Sequence, residues 1–282
     1  MMRFIMQSVI SKKGASAAGL GLVVVLAVLF RQDISRLLHF GGAVPDDEDG
    51  LTRLIPSVFP IQSFDPSVTE EPDMDSGLPS QLPVYRGRDP EEVRPDADEV
   101  KLFTEEQKQE IYRAIGNQGK AVNENPDYFN GWIQVGLLKK VIGDFEGARD
   151  AWEYAGLIRP QNSVSFANLG ELYWRYLRDY PKSEANFRRS IANNSADSTT
   201  YASLSDLYYY SYKEKAHLTD NVLLQGLAAN PESGDLMKHL ARRYEELGEY
   251  QKAIGWWEKA LVHDPGNTQI AAVIESLKKK VQ

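Results

Sequence analysis

Apolar residues in the second half of the chain recur at three- and four-residue spacing, the period of a helix with one buried face. The pattern starts after Thr104, which stands in helix-capping position with Gln107 three residues on. It runs to Lys278-Lys279-Lys280, cations suited to the negative end of a helix dipole. Upstream the pattern breaks. Residues 41–100 hold nine of the fourteen prolines and acidic clusters at Asp46-Asp47-Glu48-Asp49, Glu70-Glu71 and Asp96 to Glu99. Frequent proline blocks helices and central strands, and self-repelling charge extends the backbone, so a mostly disordered linker is expected over 31–100. One stretch departs from this: Leu51, Leu54, Ile55, Val58, Phe59, Ile61 and Phe64 are too apolar for a spacer, and are expected to dock on a partner or fold back onto the chain.

Residues 14–30 (GASAAGLGLVVVLAVLF) carry no charge and are flanked by Lys12, Lys13 and Arg31. As a helix this run spans about 26 Å, and snorkelling Lys13 and Arg31 bring it to the thickness of a hydrocarbon core. A retained transmembrane anchor is the expectation. A cleaved signal peptide, or a buried helix of a soluble protein, is the alternative, but no small-residue cleavage site follows Phe30 closely. Arg3, Lys12 and Lys13 before the span, against Arg31 and Arg36 after it, favour residues 1–13 as a cytoplasmic tail and everything beyond the span as extracytoplasmic, in a cell membrane.

The helical half repeats itself with a period near 34 residues. The clearest unit, 234–267, shows Leu240, Ala241, Tyr244, Gly248, Tyr250, Ala253, Trp257, Ala260 and Pro265. Residues 129–162 match it with Trp132, Gly136, Gly143, Phe145, Ala148, Trp152, Ala155 and Pro160. Units 163–197 and 198–233 are one and two residues longer, the second in its inter-helix turn. Small residues let paired helices approach, bulky aromatics fill the space between pairs, and proline ends every unit except 163–197, where Ser195 stands in its place. Trp132, Trp152, Trp257, Tyr173, Tyr208 and Tyr244 are therefore expected in the core. Ala114, Gln118, Ala121 and Pro126 suggest a degenerate unit over 101–128, and Thr268 to Lys280 a C-terminal capping helix within 268–282.

This pattern resembles the tetratricopeptide repeat (TPR) family. The resemblance implies an all-α fold: a right-handed α-solenoid of helical hairpins, preceded here by one transmembrane helix and the linker. The anchor, linker and repeat order also resembles that of single-span bacterial envelope proteins. In the family, the first helix of each hairpin lines a concave protein-binding groove. Carried over by repeat position, the groove residues are Ile133, Leu137, Val164, Ala167, Glu171, Trp174, Ala202, Asp206, Tyr209, Tyr210, Lys238 and Arg242. Family members that grip acidic C-termini use a Lys and Asn clamp, and Ile133 and Leu137 stand at two of its places. An apolar and aromatic trough instead implies an amphipathic or apolar-anchored segment as ligand.

Composition narrows the function classes. The net charge of −8 is concentrated in residues 41–100, where 15 acids face 4 arginines, so nothing draws in nucleic acid. With no cysteine and four scattered histidines, neither a metal or other cofactor nor a cysteine nucleophile is expected. Acid pairs such as Glu171 and Asp206 are of the kind that acts on glycosides, but the open groove that the resemblance implies excludes water poorly. The expected function is accordingly a membrane-anchored scaffold, without enzymatic activity, in envelope assembly, secretion or maturation. A self-assembling structural scaffold is the alternative, and an accessory domain of an enzyme complex a further one.

Overall fold

The computed structural model describes residues 82–281 except Leu102. The tail at 1–13, the anchor expected at 14–30 and the apolar patch at 51–64 lie outside the described residues. Among those described there is no strand, and no helix is long and apolar enough to cross a membrane. The fold is all-helical and of the helical-hairpin type. It divides into two compact units, whose described parts are residues 87–148 for the first, and 82–86 with 149–281 for the second.

The first unit contains α1 (Ala97–Val100), α2 (Glu105–Glu124), α3 (Phe129–Val141) and the start of α4 (Phe145–Ile158). Thr104 caps α2 through a full capping box with Gln107, each such cap being worth about 1 kcal/mol. Val100, Phe103, Ile111, Ile115, Leu138, Val141 and Ile142 form the core. Within 101–128, where a degenerate unit was expected, α2 is the one helix among the described residues, and Thr104 caps it.

The linker expectation needs correction at its C-terminal end, because residues 82–100 are ordered. Within the first unit this strap is held by long-range polar contacts. Lys139 Nζ donates to the Glu92 carbonyl at 2.8 Å and to Asp144 Oδ2 at 3.2 Å. Arg88 donates to Asp144 Oδ1 at 3.1 Å, and the Asp96 amide donates to the Ile142 carbonyl at 2.7 Å. Gly119 makes room for it: a Cβ there would stand 2.5 to 2.6 Å from the Pro90 and Glu91 backbone. Residues 82–96 form neither helix nor strand, but partners 47 and 56 residues away hold them in one place. Within the second unit, the Tyr154 hydroxyl donates to the Pro83 carbonyl at 2.9 Å.

The second unit continues α4 and adds α5 (Val164–Arg175), α6 (Tyr180–Asn193), α7 (Ser198–Asp206), α8 (Thr219–Ala229), α9 (Gly234–Glu246), α10 (Tyr250–His263) and α11 (Thr268–Lys280). From α5 on, each helix packs against the next in sequence. Side-chain caps at Asp179, Asp197, Ser233 and Asn267 start α6, α7, α9 and α11. Between α7 and α8 the chain forms a π-helical turn (Leu207–Ser211) and a 3-10 stretch (Lys213–Leu218), which absorb the longer inter-helix segment. Gly170 lets α5 and α6 meet closely, since a Cβ would lie 2.5 Å from the Phe187 ring. Trp152, Trp257, Tyr173 and Tyr208 are buried here, as is Trp132 in the first unit; Tyr244 is half-buried.

The turns α3–α4 and α9–α10 contain Gly143 and Gly248 at φ +81° and +73°. In the α5–α6 turn the left-handed residue is Arg178, at φ +55°. A side chain in that region costs about 1–2 kcal/mol, partly offset by the rigidity a glycine lacks when unfolded. Arg178→Gly is therefore expected to stabilise the protein by about 0.5 kcal/mol, read as a small rise in thermal midpoint; a fall would place the arginine side chain in an energetically useful contact.

Candidate functional site

The first helices of successive hairpins in the second unit, α5, α7 and α9, carry most of the groove residues inferred by repeat position. Tyr209 and Tyr210 follow α7 in the π-helical turn Leu207–Ser211, and Ile133 and Leu137 lie elsewhere. The latter two belong to α3 of the first unit, where Ile133 is half-buried and Leu137 is 37% exposed.

Along α5, Val164 is 50% exposed and Ala167 half-buried. Glu171 accepts from Arg175 Nε at 2.5 Å and from Ser203 Oγ at 3.1 Å. Trp174 does not line the face. It is 7% exposed and belongs to the core with Phe187, Tyr201, Leu204, Leu207 and Tyr208. Its indole donates to Ser211 Oγ at 2.8 Å, while the Arg175 guanidinium covers the ring at 3.9 Å. The π-helical turn supplies that acceptor, so the lengthened unit draws the tryptophan inward. Ala202 is likewise buried, too small to emerge between its neighbours.

Around the π-helical turn the two tyrosines part company. Tyr209 lies against the Arg243 guanidinium, 3.3 Å from the ring centroid, so it is committed to α9. Tyr210 is 40% exposed and donates to Glu246 at 3.0 Å. The two rings meet edge to face at 4.6 Å. Burial, then Glu246 and Asp206, push the Tyr210 hydroxyl well above its usual range, so it stays protonated and donating. Tyr208 points to the opposite side, donating to Glu184 at 2.7 Å and accepting from Arg188 at 2.8 Å.

On α9, Lys238 pairs with Asp235 at 2.6 Å, and Arg242 is exposed, 6.0 Å from the Trp257 centroid. His239 is held neutral down to about pH 4, by burial first and Arg242 second. Asp206 stands at the end of α7 between these elements. Burial raises it to about 7; Arg175 opposes, Glu171 and Glu246 add to the rise, and Arg242 opposes. The residue keeps partial surface exposure, but its carboxyl is crowded by protein. No hydrogen-bond donor among the described residues reaches it.

These helices and the turn present Val164 and Tyr210 as exposed apolar and aromatic side chains, with a charged centre of Glu171, Arg175, Asp206, Arg242 and Glu246. Repeat position placed these residues, but not the partners that bury or free them. The Ser203, Ser211 and Arg243 contacts were missed; the longer inter-helix segment was the only trace of them in the sequence. Among the described residues, no group of three His, Asp or Glu could hold a metal ion.

No curated protein sequence matches the chain. Among solved structures, MamA aligns at 16% identity over 63% of this chain and 99% of its own, with a TM-score of 0.47. YrrB, described as a TPR protein with an unusual peptide-binding site, aligns at 16% identity over 57% of this chain and 84% of its own, TM-score 0.41. A thermophilic TPR protein of Thermus thermophilus aligns at 16% identity over 64% of this chain and 94% of its own, TM-score 0.44. Residues 234–267, which are α9, its glycine turn, α10 and the turn after it, match the tetratricopeptide repeat model.

Proposed function

We propose that the protein is a membrane-tethered scaffold that binds a segment of another polypeptide on the α5, α7 and α9 face. The carrying observation is that Val164 on α5 and Tyr210 in the π-helical turn after α7 stay exposed while Leu169, Tyr173, Trp174, Leu204, Leu236 and Leu240 of the same hairpin helices are buried. Burying such side chains in a partner contributes about 25 cal/mol per Å² of apolar area, and a few aromatic anchors commonly dominate an interface. The repeat match at 234–267 agrees with a protein-binding role. Tethering rests on the uncharged run at 14–30. It is read as a signal anchor in a cell membrane, with the repeats extracytoplasmic; protease accessibility in sealed vesicles tests the orientation. The four-unit division at 129–267, the partner's place in envelope assembly, secretion or maturation, and the absence of catalysis belong to the same proposal.

The binding test is a pull-down with full-length protein extracted in mild detergent, comparing the wild type with a Val164→Asp, Tyr210→Ala variant of unchanged helicity. Loss of specific partners by at least tenfold is expected. Retention of the same partners in the variant would place binding elsewhere on the chain.

A further inference from the structure

We propose that this face selects its polypeptide by a lysine or arginine side chain, received at Asp206. The inference rests on the peptide-binding reading above and names what that site recognises. Three carboxylates, Glu171, Asp206 and Glu246, meet here with two guanidiniums, Arg175 and Arg242. Two of the carboxylates are already served. Glu171 has Arg175 and Ser203, and Glu246 has the Tyr210 hydroxyl. Arg175 is committed as well, bonded to Glu171 and spread over Trp174. Asp206 is the carboxyl of the three that no donor among the described residues reaches.

A crowded carboxylate without an internal partner is unfavourable for the fold, and such groups cluster at functional sites. A ligand cation would supply the missing charge and hydrogen bonds, while a ligand carboxylate would meet three acids. Tyr210 stands within electrostatic reach of Asp206 and is half-exposed, so its ring offers a surface to the aliphatic stem or the cation itself. Asp206 faces Glu171 and Arg175 from α5, and Arg242 and Glu246 from α9. Glu184 and Arg188 of α6 meet Tyr208 on the other side, next to Lys215 of the 3-10 stretch. His239 is neutral above about pH 4, so Asp206 is the group that titrates near neutrality. Binding a cation favours its ionised form and releases a proton. Since burial holds Asp206 near 7, the ionised fraction, and with it affinity for a basic segment, rises about tenfold from pH 6 to pH 8.

The probe is an array of immobilised random-sequence decapeptides with one position stepped through all residue types, exposed to full-length protein in detergent at pH 6 and pH 8. Wild type is expected to favour lysine or arginine over leucine at one position by about tenfold or more at pH 8 and less at pH 6. Asp206→Asn, which keeps shape and removes the charge, should lose that preference while retaining the apolar ones; its helicity and melting temperature verify folding. Selection of apolar residues alone, or a basic preference that survives Asp206→Asn, overturns this inference and leaves the binding face standing. Retention of no peptide overturns both.

Discussion

Asp144→Ala is expected to destabilise the first unit by about 3–5 kcal/mol, because it strands the Lys139 ammonium in a site with almost no water. The side chains of Lys139 and Asp144 are 1% and 2% exposed. Each carboxylate oxygen of Asp144 is used: Oδ2 by Lys139, and Oδ1 by Arg88 and by the Gly147 amide. The substitution removes all three acceptor contacts at once. Hydrogen exchange followed by mass spectrometry should show residues 88–100 and the α3–α4 turn opening at least a hundredfold more often. Pairing the change with Lys139→Met should recover much of the loss, because no buried charge then remains. A single variant that exchanges like the wild type would mean that water reaches the ammonium when Asp144 is gone. It would also mean that the strap is held by its packing on Gly119 instead.

Asp206→Asn is expected to do the opposite, stabilising the second unit by an amount that grows as pH rises from about 4 to about 7 and is constant above. The folded protein holds the Asp206 proton up to about pH 7, against an ordinary value of 3.8. Between those values the native state binds more protons than the unfolded chain, so stability falls as pH rises through that window and levels off above it. At about 1.4 kcal/mol per pH unit the full shift corresponds to ~4 kcal/mol. The residue's partial exposure screens its charge, and about 2 kcal/mol is the expected gain for the asparagine at pH 8. At pH 4 the two proteins should melt together. Thermal melts of both at pH 4, 6 and 8 check this; a constant offset at all three would assign the effect to hydrogen bonding and not to the charge. A stabilising substitution that also erases selection for basic segments would mark Asp206 as a residue whose charge serves binding at the expense of the fold.

Much of the helical half was legible because the signals that set it are local. The Thr104 and Gln107 capping box, the apolar period and the glycines at 143 and 248 all act within a few residues. Small and bulky positions repeating every 34 or so residues also marked Trp132, Trp152, Trp257, Tyr173 and Tyr208 as core. For the candidate face the same register named Val164, Glu171, Asp206 and Tyr210. It failed at Trp174, because a lengthened inter-helix segment turns the backbone locally, and register assumes equal units.

What the sequence by itself determined is therefore the helical character of residues 105–280 and the aromatic residues buried among those helices. Both follow from periodicity and capping chemistry that four or five neighbouring residues can satisfy. Only the tertiary structure decided which side chains remain available. The π-helical turn at Leu207–Ser211 takes Trp174 inward through Ser211. Arg243 claims Tyr209 from the next hairpin. Residues 88–96, by composition a spacer, are fixed by Lys139 and Asp144 about fifty positions away. Asp206 is left with charge around it and no donor among the described residues. Each of these depends on groups far apart in sequence meeting at hydrogen-bonding or stacking distance, and a one-dimensional pattern of polar and apolar residues does not contain that information.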